Sequence, residues 1–189
     1  MNTSDKVIKV ARSIFANEGF KALGLREVAK KSGIATSVLY YYFKDKDALL
    51  KEVFDQTNEE LGKLRHQLPV PKSATDMLRQ RIIFQFEHSE MILAVLKYYL
   101  RYRKTFTKTP QGFVPEKAYL HIQEVLERGV RDKAFNVDDI QSEAKVITHA
   151  INGFILEYYP DIPTGKEKQR LVEQIYSFII KALTNNRKE

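Results

Sequence analysis

The sequence from residue 25 to residue 43 contains two short helical patterns separated by a tight turn, and this arrangement strongly constrains the fold. Val28 belongs to the apolar face of the first pattern, whereas Leu39 and Phe43, four residues apart, form the apolar face of the second. Gly33 lies between the two patterns, where the absence of a β-carbon allows a positive φ angle. Two short helices joined in this way form a helix-turn-helix, whose second helix can enter the major groove of DNA. The sequence therefore predicts a DNA-binding protein.

The second helix of this pattern has small residues at its start and three consecutive tyrosines farther along. Residues 35–37 are Ala, Thr and Ser, which allow the helix backbone to approach base pairs closely. Residues 40–42 are tyrosines, whose hydroxyl groups can reach a phosphate or the edge of a base. Because Leu39 and Phe43 must face inward, we also expect one of the tyrosines to pack against the first helix of the domain.

Four short motifs extend this pattern across residues 6–50. They are Phe-Ala-x-x-Gly-Phe at residues 15–20, Arg-Glu-Val-Ala at 26–29, Ser-Gly-Ile at 32–34 and Leu-Tyr-x-x-Phe-x-Asp-Lys-Asp-x-Leu-Leu at 39–50. Together they resemble the N-terminal DNA-binding domain of the TetR family of bacterial one-component transcription regulators. The resemblance implies an all-α protein of about nine helices. It implies a three-helix, helix-turn-helix DNA-binding domain over residues 1–50 and a helical ligand-binding and dimerisation bundle over residues 51–189.

Two positions at helix starts depart from the usual family pattern. Gly24 and Ala35 stand where the family commonly has Thr or Ser. An alanine side chain cannot accept the exposed N–H groups at a helix start, and glycine caps a helix only modestly. Either the caps shift or the contacts made there are lost, in which case Thr36 or Ser37 takes them over.

The resemblance also assigns roles within the DNA-binding surface. It implies that residues 36–42 form the recognition helix and that the lysine at the start of the fourth helix contacts phosphate. The predicted base contacts are Thr36, Ser37 and Tyr41, the predicted phosphate contacts are Tyr40, Tyr42 and Lys46, and Lys30 completes the predicted DNA-binding set.

Charge is consistent with an anionic partner. The chain of 189 residues carries a formal net charge of +7 and has a pI near 9.4. Residues 1–50 contain nine basic and five acidic side chains, so this short segment holds more than half of the net charge. A mild basic bias is usually only a solvated surface, and it gains meaning here from the helix-turn-helix pattern.

Enzymatic and metal-binding signatures are absent from the sequence. There are no cysteines, which excludes disulfides and thiolate metal sites. No nucleophile elbow, phosphate-binding glycine loop or dinucleotide fingerprint occurs. We therefore expect no catalytic activity and no cofactor. We also expect no metal site, because the histidines are widely spaced, at His66, His88, His121 and His149.

The sequence shows no apolar segment typical of a signal peptide or a transmembrane helix. Residues 1–6 have no apolar core of signal-peptide length, and no stretch approaches 18 uncharged apolar residues. We expect a cytoplasmic protein that is associated with the nucleoid and has no membrane partner.

Beyond residue 50 the apolar residues recur with helical spacing, and no alternating strand pattern is seen. We expect a fourth helix, capped by Asp45, to run towards Leu68, where a Pro-Val-Pro segment follows. Ser73 marks the next helix start. One uninterrupted helix from Ser73 to about residue 106 would be unusually long, so we expect a break near residues 88–90.

The remaining sequence predicts three more helices, bounded by residues with capping or helix-breaking tendencies. The expected segments are a loop over 107–115, a helix over 115–131, a helix opened by Asp138 with Gln141 and ending at 158–159, and a last helix running from a Thr164 and Glu167 capping box to about Thr184.

The last two helices are both strongly apolar, which favours a homodimer. Ala150 and Gly153 place small residues three positions apart, and an i, i+4, i+7, i+8, i+11 stripe follows the last helix. The alternative is that either stripe belongs to the core of one chain. The predicted interface residues are Ile147, Ala150, Ile151, Gly153, Phe154, Ile175, Phe178, Ile179 and Ala182.

Aromatic and polar residues between positions 84 and 159 could line a mostly apolar ligand pocket. Each of them is more often a core or interface residue. The basic run at Lys97, Arg101, Arg103 and Lys104 could attract an acidic ligand, although such runs are more often solvated. The predicted ligand-binding residues are Phe84, His88, Met91, Tyr99, Tyr102, Tyr119 and His149.

The resemblance implies a ligand-responsive homodimeric repressor that binds a palindromic operator and is released by a small hydrophobic or aromatic effector. In the family, ligand binding moves the fourth helix like a pendulum and spreads the two recognition helices. The alternative is an effector-independent architectural or global regulator with the same DNA-binding domain. An activator would show the same sequence features.

Overall fold

A computed structural model of the chain describes residues 3–106 and 119–184. Within these ranges the structure contains nine α-helices and no strand, which confirms the predicted all-α fold. The helices are α1 (Thr3–Glu18), α2 (Leu25–Ser32), α3 (Thr36–Tyr42), α4 (Lys46–His66), α5 (Ala74–Glu87), α6 (Ser89–Phe106), α7 (Leu120–Arg131), α8 (Ile140–Tyr158) and α9 (Gly165–Thr184).

Side-chain caps fix the start of three of these helices. The Asp45 carboxylate accepts a hydrogen bond from the backbone N–H of Ala48 at 2.8 Å, and the Ser73 hydroxyl accepts one from Asp76 at 3.1 Å. Both caps were predicted from the sequence, and such caps satisfy N–H groups that have no partner within the helix. The prediction of Asp138 as the cap of α8 was wrong by one residue. Asp139 accepts the hydrogen bond from the Ser142 backbone, since it directly precedes the first helical residue.

The other predicted boundaries are met with small shifts. α4 ends at His66, two residues before the expected end, and α8 ends at Tyr158 as expected. The predicted break near residue 88 is confirmed, because α5 ends at Glu87 and α6 begins at Ser89. The predicted loop over residues 107–115 lies outside the described residues, as does the beginning of the helix expected from residue 115.

The first compact unit is formed by the described residues of Met1–Gln67 and Glu90–Thr109. Here α1 packs against α2 and α4, and α2 packs against α3. Fully buried aliphatic side chains occupy its core, and each such side chain contributes about 1.5–3 kcal/mol through removal from water. They include Leu23, Val28, Leu39, Leu49 and Leu50.

The second compact unit is formed by the described residues of Leu68–Ser89 and Pro110–Glu189. Its central helix is α5, which packs against α7, α8 and α9, while α7 also packs against α8. Gly129 of α7 lies against the buried ring of Phe135, and a β-carbon at Gly129 would stand only 1.9 Å from that ring. The backbone of Asn136 then donates a hydrogen bond to the carbonyl of Leu183 at 2.8 Å, which joins this turn to the end of α9.

The two compact units divide the chain differently from the predicted domains. Residues of α4 and α6 belong to the same compact unit as α1 to α3. The predicted boundary at residue 50 instead separates a DNA-binding domain from a ligand-binding and dimerisation domain. The functional boundary at residue 50 stays a prediction.

Candidate nucleic-acid interface

The turn between α2 and α3 depends on the backbone conformation of Gly33. Its φ angle is +66°, in the left-handed region, and its N–H donates to the carbonyl of Lys30 at 3.2 Å. The N–H of Ile34 donates to the carbonyl of Ala29 at 3.1 Å, so the final turn of α2 is closed by backbone hydrogen bonds. A side chain at Gly33 would be strained because of this φ angle, although there is space around it. The glycine therefore sets the direction in which α3 leaves α2.

One side of α3 is anchored and the other is open. Leu39 is buried, whereas Tyr40, Tyr41 and Tyr42 expose 54%, 84% and 68% of their surface. The expected packing of one tyrosine on the first helix is limited to Tyr42, which borders a groove together with Ser4 and Val7 of α1. The tyrosine hydroxyls thus lie on an accessible helix surface, as contact with DNA requires.

The start of α3 carries no side-chain cap. Ala35 occupies the cap position and accepts only through its backbone carbonyl, to which Val38 donates at 3.0 Å. Gly24 likewise offers no side-chain cap to α2. Thr36 is half-buried and Ser37 is exposed at the open end of α3, where hydroxyl groups can meet a phosphate or a base edge.

The basic residues near this surface differ in how they are paired. Lys31 is bound to Glu18 at 3.0 Å and to Glu27 at 3.6 Å. The hydrogen bond that Lys31 donates to the Glu18 carboxylate raises the pKa of Lys31. Lys30 is exposed and forms no ion pair within the part of the chain that the structure describes, which leaves its charge available to phosphate. Three further exposed basic residues lie close to the ends of α2 and α3: Lys21, Arg26 and Lys44. The sequence analysis did not assign them to DNA, although their positions beside the two helices could have indicated such a role.

Lys46 is held at the junction of α1 and α4. Its ammonium donates to the carbonyl of Phe20 at 3.3 Å and lies 4.0 Å from the centre of the Phe20 ring. An ammonium group has three N–H donors, so two remain for an external acceptor such as a phosphate. The contact between Lys46 and phosphate stays a prediction.

The end of α6 reaches the same junction. The guanidinium of Arg101 lies over the Phe20 ring, and Arg101 Nη2 is 3.9 Å from the Asp47 carboxylate. The hydroxyl of Tyr102 donates a hydrogen bond to Asp47. Burial, followed by that hydrogen bond, raises the pKa of Tyr102. Tyr102, predicted as a ligand contact, is therefore engaged with the first turn of α4.

A second aromatic contact joins α4 to α6 within the first unit. Phe54 and Tyr98 stack with ring centres 4.1 Å apart. Burial of its phenol raises the pKa of Tyr98 to about 12. The two helices are thus connected by an apolar stack in the middle and by charged and polar contacts at the end.

The predicted ligand-binding residues are divided between the two compact units. Met91, Tyr99 and Tyr102 belong to the first unit. Within the second, the rings of Phe84 and His88 lie 4.4 Å apart. The exposed His149 lies on α8, and the buried Tyr119 directly precedes α7. The ligand-binding role of this set stays a prediction.

The predicted interface residues fall into two groups. Four isoleucines are buried within one chain and belong to its core: Ile147, Ile151, Ile175 and Ile179. The others are half-buried or exposed, with Phe178 at 74%: Ala150, Gly153, Phe154, Phe178 and Ala182. Val146, which the sequence reasoning did not include, is also exposed and lies one turn before Ala150.

The described residues offer neither a metal site nor a membrane-spanning helix. Residues 3–106 and 119–184 contain no group of three His, Asp or Glu side chains arranged to hold a metal ion. In the same ranges, no helix has both the length and the apolar character that crossing a membrane requires.

Comparison with known proteins relates residues 7–53 to the family described as bacterial regulatory proteins, tetR family. The regulator QacR of Staphylococcus aureus is 25% identical over 163 residues, covering 82% of this chain and 85% of its own. The repressor KstR2 of Mycolicibacterium smegmatis is 25% identical over 189 residues, covering 96% of this chain and 91% of its own. The matches to these relatives thus extend well beyond the helix-turn-helix.

Solved structures share the fold at low sequence identity. The ketosteroid regulator KstR2 of Mycobacterium tuberculosis superposes with a TM-score of 0.69 at 18% identity, covering 98% of this chain and 96% of its own. The regulator FadR of Bacillus subtilis, solved in complex with stearoyl-CoA, gives a TM-score of 0.71 at 15% identity, covering 95% of this chain and 99% of its own.

Proposed function

The chain belongs to the TetR family of bacterial transcriptional regulators, and we propose that it is a ligand-responsive homodimeric repressor that binds a near-palindromic operator. The observation that carries this proposal is the open side of α3, on which Ser37 and three tyrosines are exposed while Leu39 anchors the helix. Such a helix can enter the major groove and contact base edges.

The small size of α3 supports the proposed homodimer. The helix has seven residues and can read only a few base pairs, so selectivity requires a second copy related by a two-fold axis. Val146, Ala150, Gly153 and Phe154 supply an exposed apolar face on α8 with i, i+4, i+7, i+8 spacing. Phe178 supports the same proposal on α9, because a large exposed aromatic side chain is typical of a protein interface.

A ligand can release the dimer from DNA only if its affinity is higher for the conformation that cannot bind the operator than for the conformation that can. The separation of the two α3 helices is the property that such a ligand changes. We propose a small effector with a large apolar part. This is supported by the fold shared with FadR, which was solved with stearoyl-CoA.

The direct test is to mix purified protein with sheared genomic DNA of its source at physiological salt and to sequence the retained fragments. One or a few near-palindromic sites beside a small number of genes are expected. Dozens of dispersed sites would instead support the architectural or global regulator.

A pair of variants makes this test specific for α3. Tyr41→Ala removes a side chain that is 84% exposed, so the fold should be unaffected and enrichment of the operator should fall. Val70→Ala, at an equally exposed position outside the helices, is the matched control and should keep the wild-type enrichment. Equal enrichment by both variants would contradict the assignment of Tyr41 to the interface.

A further inference from the structure

Five polar side chains are buried in the second unit, on three helices that pack against one another. On α5 and on α8 the buried polar residues are four positions apart, so each pair lies on one side of its helix. The α5 side faces α7, because the amide of Gln85 lies 3.5 Å from the His121 ring. The five residues are Arg81 and Gln85 of α5, His121 of α7, and Thr148 and Asn152 of α8.

Several polar atoms of this cluster have no hydrogen-bond partner among the described residues. They are Nε and Nη1 of Arg81, Oγ1 of Thr148 and Oδ1 of Asn152. Buried polar groups are nearly always hydrogen-bonded, because their desolvation is otherwise uncompensated. Four unpartnered atoms on helices in mutual contact therefore indicate that a further hydrogen-bonding group belongs there.

Arg81 is the most demanding member of the cluster. Arg81 is only 8% exposed. Among the described residues its one ion pair is with Glu124, whose carboxylate lies 3.7 Å from Nη2 and is largely exposed to solvent. Burial lowers the pKa of Arg81, because the loss of hydration of its charged guanidinium outweighs the attraction to Glu124. A guanidinium with two unpartnered nitrogens is suited to an anionic oxygen, since charge-assisted hydrogen bonds are stronger than those between neutral groups.

We propose that the interior formed by α5, α7 and α8 binds a small organic anion whose carboxylate, or related anionic group, is held by Arg81. The Thr148 hydroxyl and the Asn152 carbonyl oxygen complement a hydrogen-bond donor on the same molecule, such as a hydroxyl or an amide N–H. Buried apolar neighbours in the sequence, including Ile82, Ile122 and Ile151, suit an apolar body.

This proposal rests on the proposed function, because it gives the chemical class of the effector. It also differs from the basic run considered in the sequence. Arg101 of that run lies over Phe20 and beside Asp47, so its charge already has partners. Arg81, in contrast, is buried and keeps two guanidinium nitrogens without a hydrogen-bond partner among the described residues.

The test compares acids with their neutral amides on the full-length protein by titration calorimetry. The probes are 10-hydroxydecanoate with 10-hydroxydecanamide and 3-(4-hydroxyphenyl)propanoate with 3-(4-hydroxyphenyl)propanamide; each pair keeps the apolar body and the hydroxyl donor and differs in the charge of the acid group. We expect at least one acid to bind roughly tenfold or more tightly than its amide, as the loss of a charge-assisted hydrogen bond requires. If no acid binds, or if acids and amides bind equally, the proposal is wrong.

Variants assign the preference to one side chain. Arg81→Met should abolish the preference for acids, while Arg79→Met, two residues away on α5 and partly exposed, is the matched control and should retain it. If Arg81→Met does not fold, Arg81→Lys keeps the charge without the planar pair of donors and should reduce the preference. A preference that survives in the folded Arg81 variant would overturn the proposal.

Failure of this inference can be separated from failure of the proposed function. Acid binding that depends on Arg81 but does not release operator DNA would leave the anion site in place and remove its role as the effector site. Ligand-responsive operator binding that is indifferent to Arg81→Met would leave the repressor in place and remove the anion site.

Discussion

The guanidinium carbon of Arg101 lies 3.3 Å from the centre of the Phe20 ring. The ammonium of Lys46 approaches the same ring at 4.0 Å, so one aromatic side chain is shared by cations from α4 and α6. The carboxylate of Asp47 accepts a hydrogen bond from the Tyr102 hydroxyl and lies beside the Arg101 guanidinium. Within the first unit, α4, which begins shortly after α3, is therefore anchored to the end of α6.

Replacing Arg101 with alanine should loosen the first turn of α4. A cation–π contact at a partly exposed site contributes about 0.5–1 kcal/mol, so the stability of the whole chain should change little. Hydrogen exchange at residues 46–50 should accelerate by a few fold, since the anchor affects local opening. Lys51→Ala removes an exposed ion pair with Asp55 on the same helix and serves as the control. Unchanged exchange in Arg101→Ala would show that Phe20 and Tyr102 hold the junction without it.

Lys46→Ala should weaken binding to every DNA sequence by a similar factor. Loss of one phosphate contact should reduce the salt dependence of the binding constant by about one charge. Operator and unrelated DNA should be titrated at several salt concentrations, with Lys51→Ala as a control of equal charge change. A change in base preference would move Lys46 from the phosphate contacts to the base contacts.

Ser37→Ala should lower affinity at particular base pairs and leave others unchanged. The expected loss is about 1–3 kcal/mol at the contacted position, as for a direct base contact. Ser37 is exposed, so the fold should tolerate the change. Binding should be measured to a set of operators with single base-pair substitutions. A uniform loss across unrelated DNA would instead place Ser37 among the phosphate contacts.

Gly153→Leu should weaken the dimer without disturbing the single chain. Apart from its two chain neighbours and the nearby backbone of its own helix, no described atom lies within 4 Å of the position of a β-carbon at Gly153, so a leucine there has space within one protomer. The added volume would collide only with a partner, since overpacking a close interface is unfavourable. Sedimentation equilibrium should show a larger fraction of monomer. Gly62→Leu, at a helical glycine of α4 with equally open surroundings, is the control. A dimer of unchanged strength would refute this interface.

Gly33→Ala should destabilise the protein by about 1–2 kcal/mol, because a β-carbon is unfavourable in the left-handed region. Gly24→Ala is the matched control, since its φ of −125° suits any residue and the site is open. Chemical denaturation should show a loss for the first variant and little change, or a small gain, for the second. Equal stability of the two variants would mean that the turn can relax into another conformation.

Features set by a few neighbouring residues were predicted well. Gly33 marks the turn, while Asp45 and Ser73 mark helix starts, because backbone conformation and capping hydrogen bonds are determined within three or four positions. The cap at Asp139 was assigned to its neighbour Asp138, since two adjacent aspartates offer the same local chemistry.

Features that depend on distant residues required the tertiary structure. The sequence showed an apolar stripe on α8 and α9, but only the packing separated the buried Ile147 and Ile175 from the exposed Phe178. The sequence likewise showed Arg81 among apolar residues without indicating whether it was paired. By itself the sequence determined the helices and the motif that reads DNA, because these depend on local spacing. The tertiary structure decided which side chains are buried and which polar atoms lack partners, because burial depends on helices that are far apart in the chain.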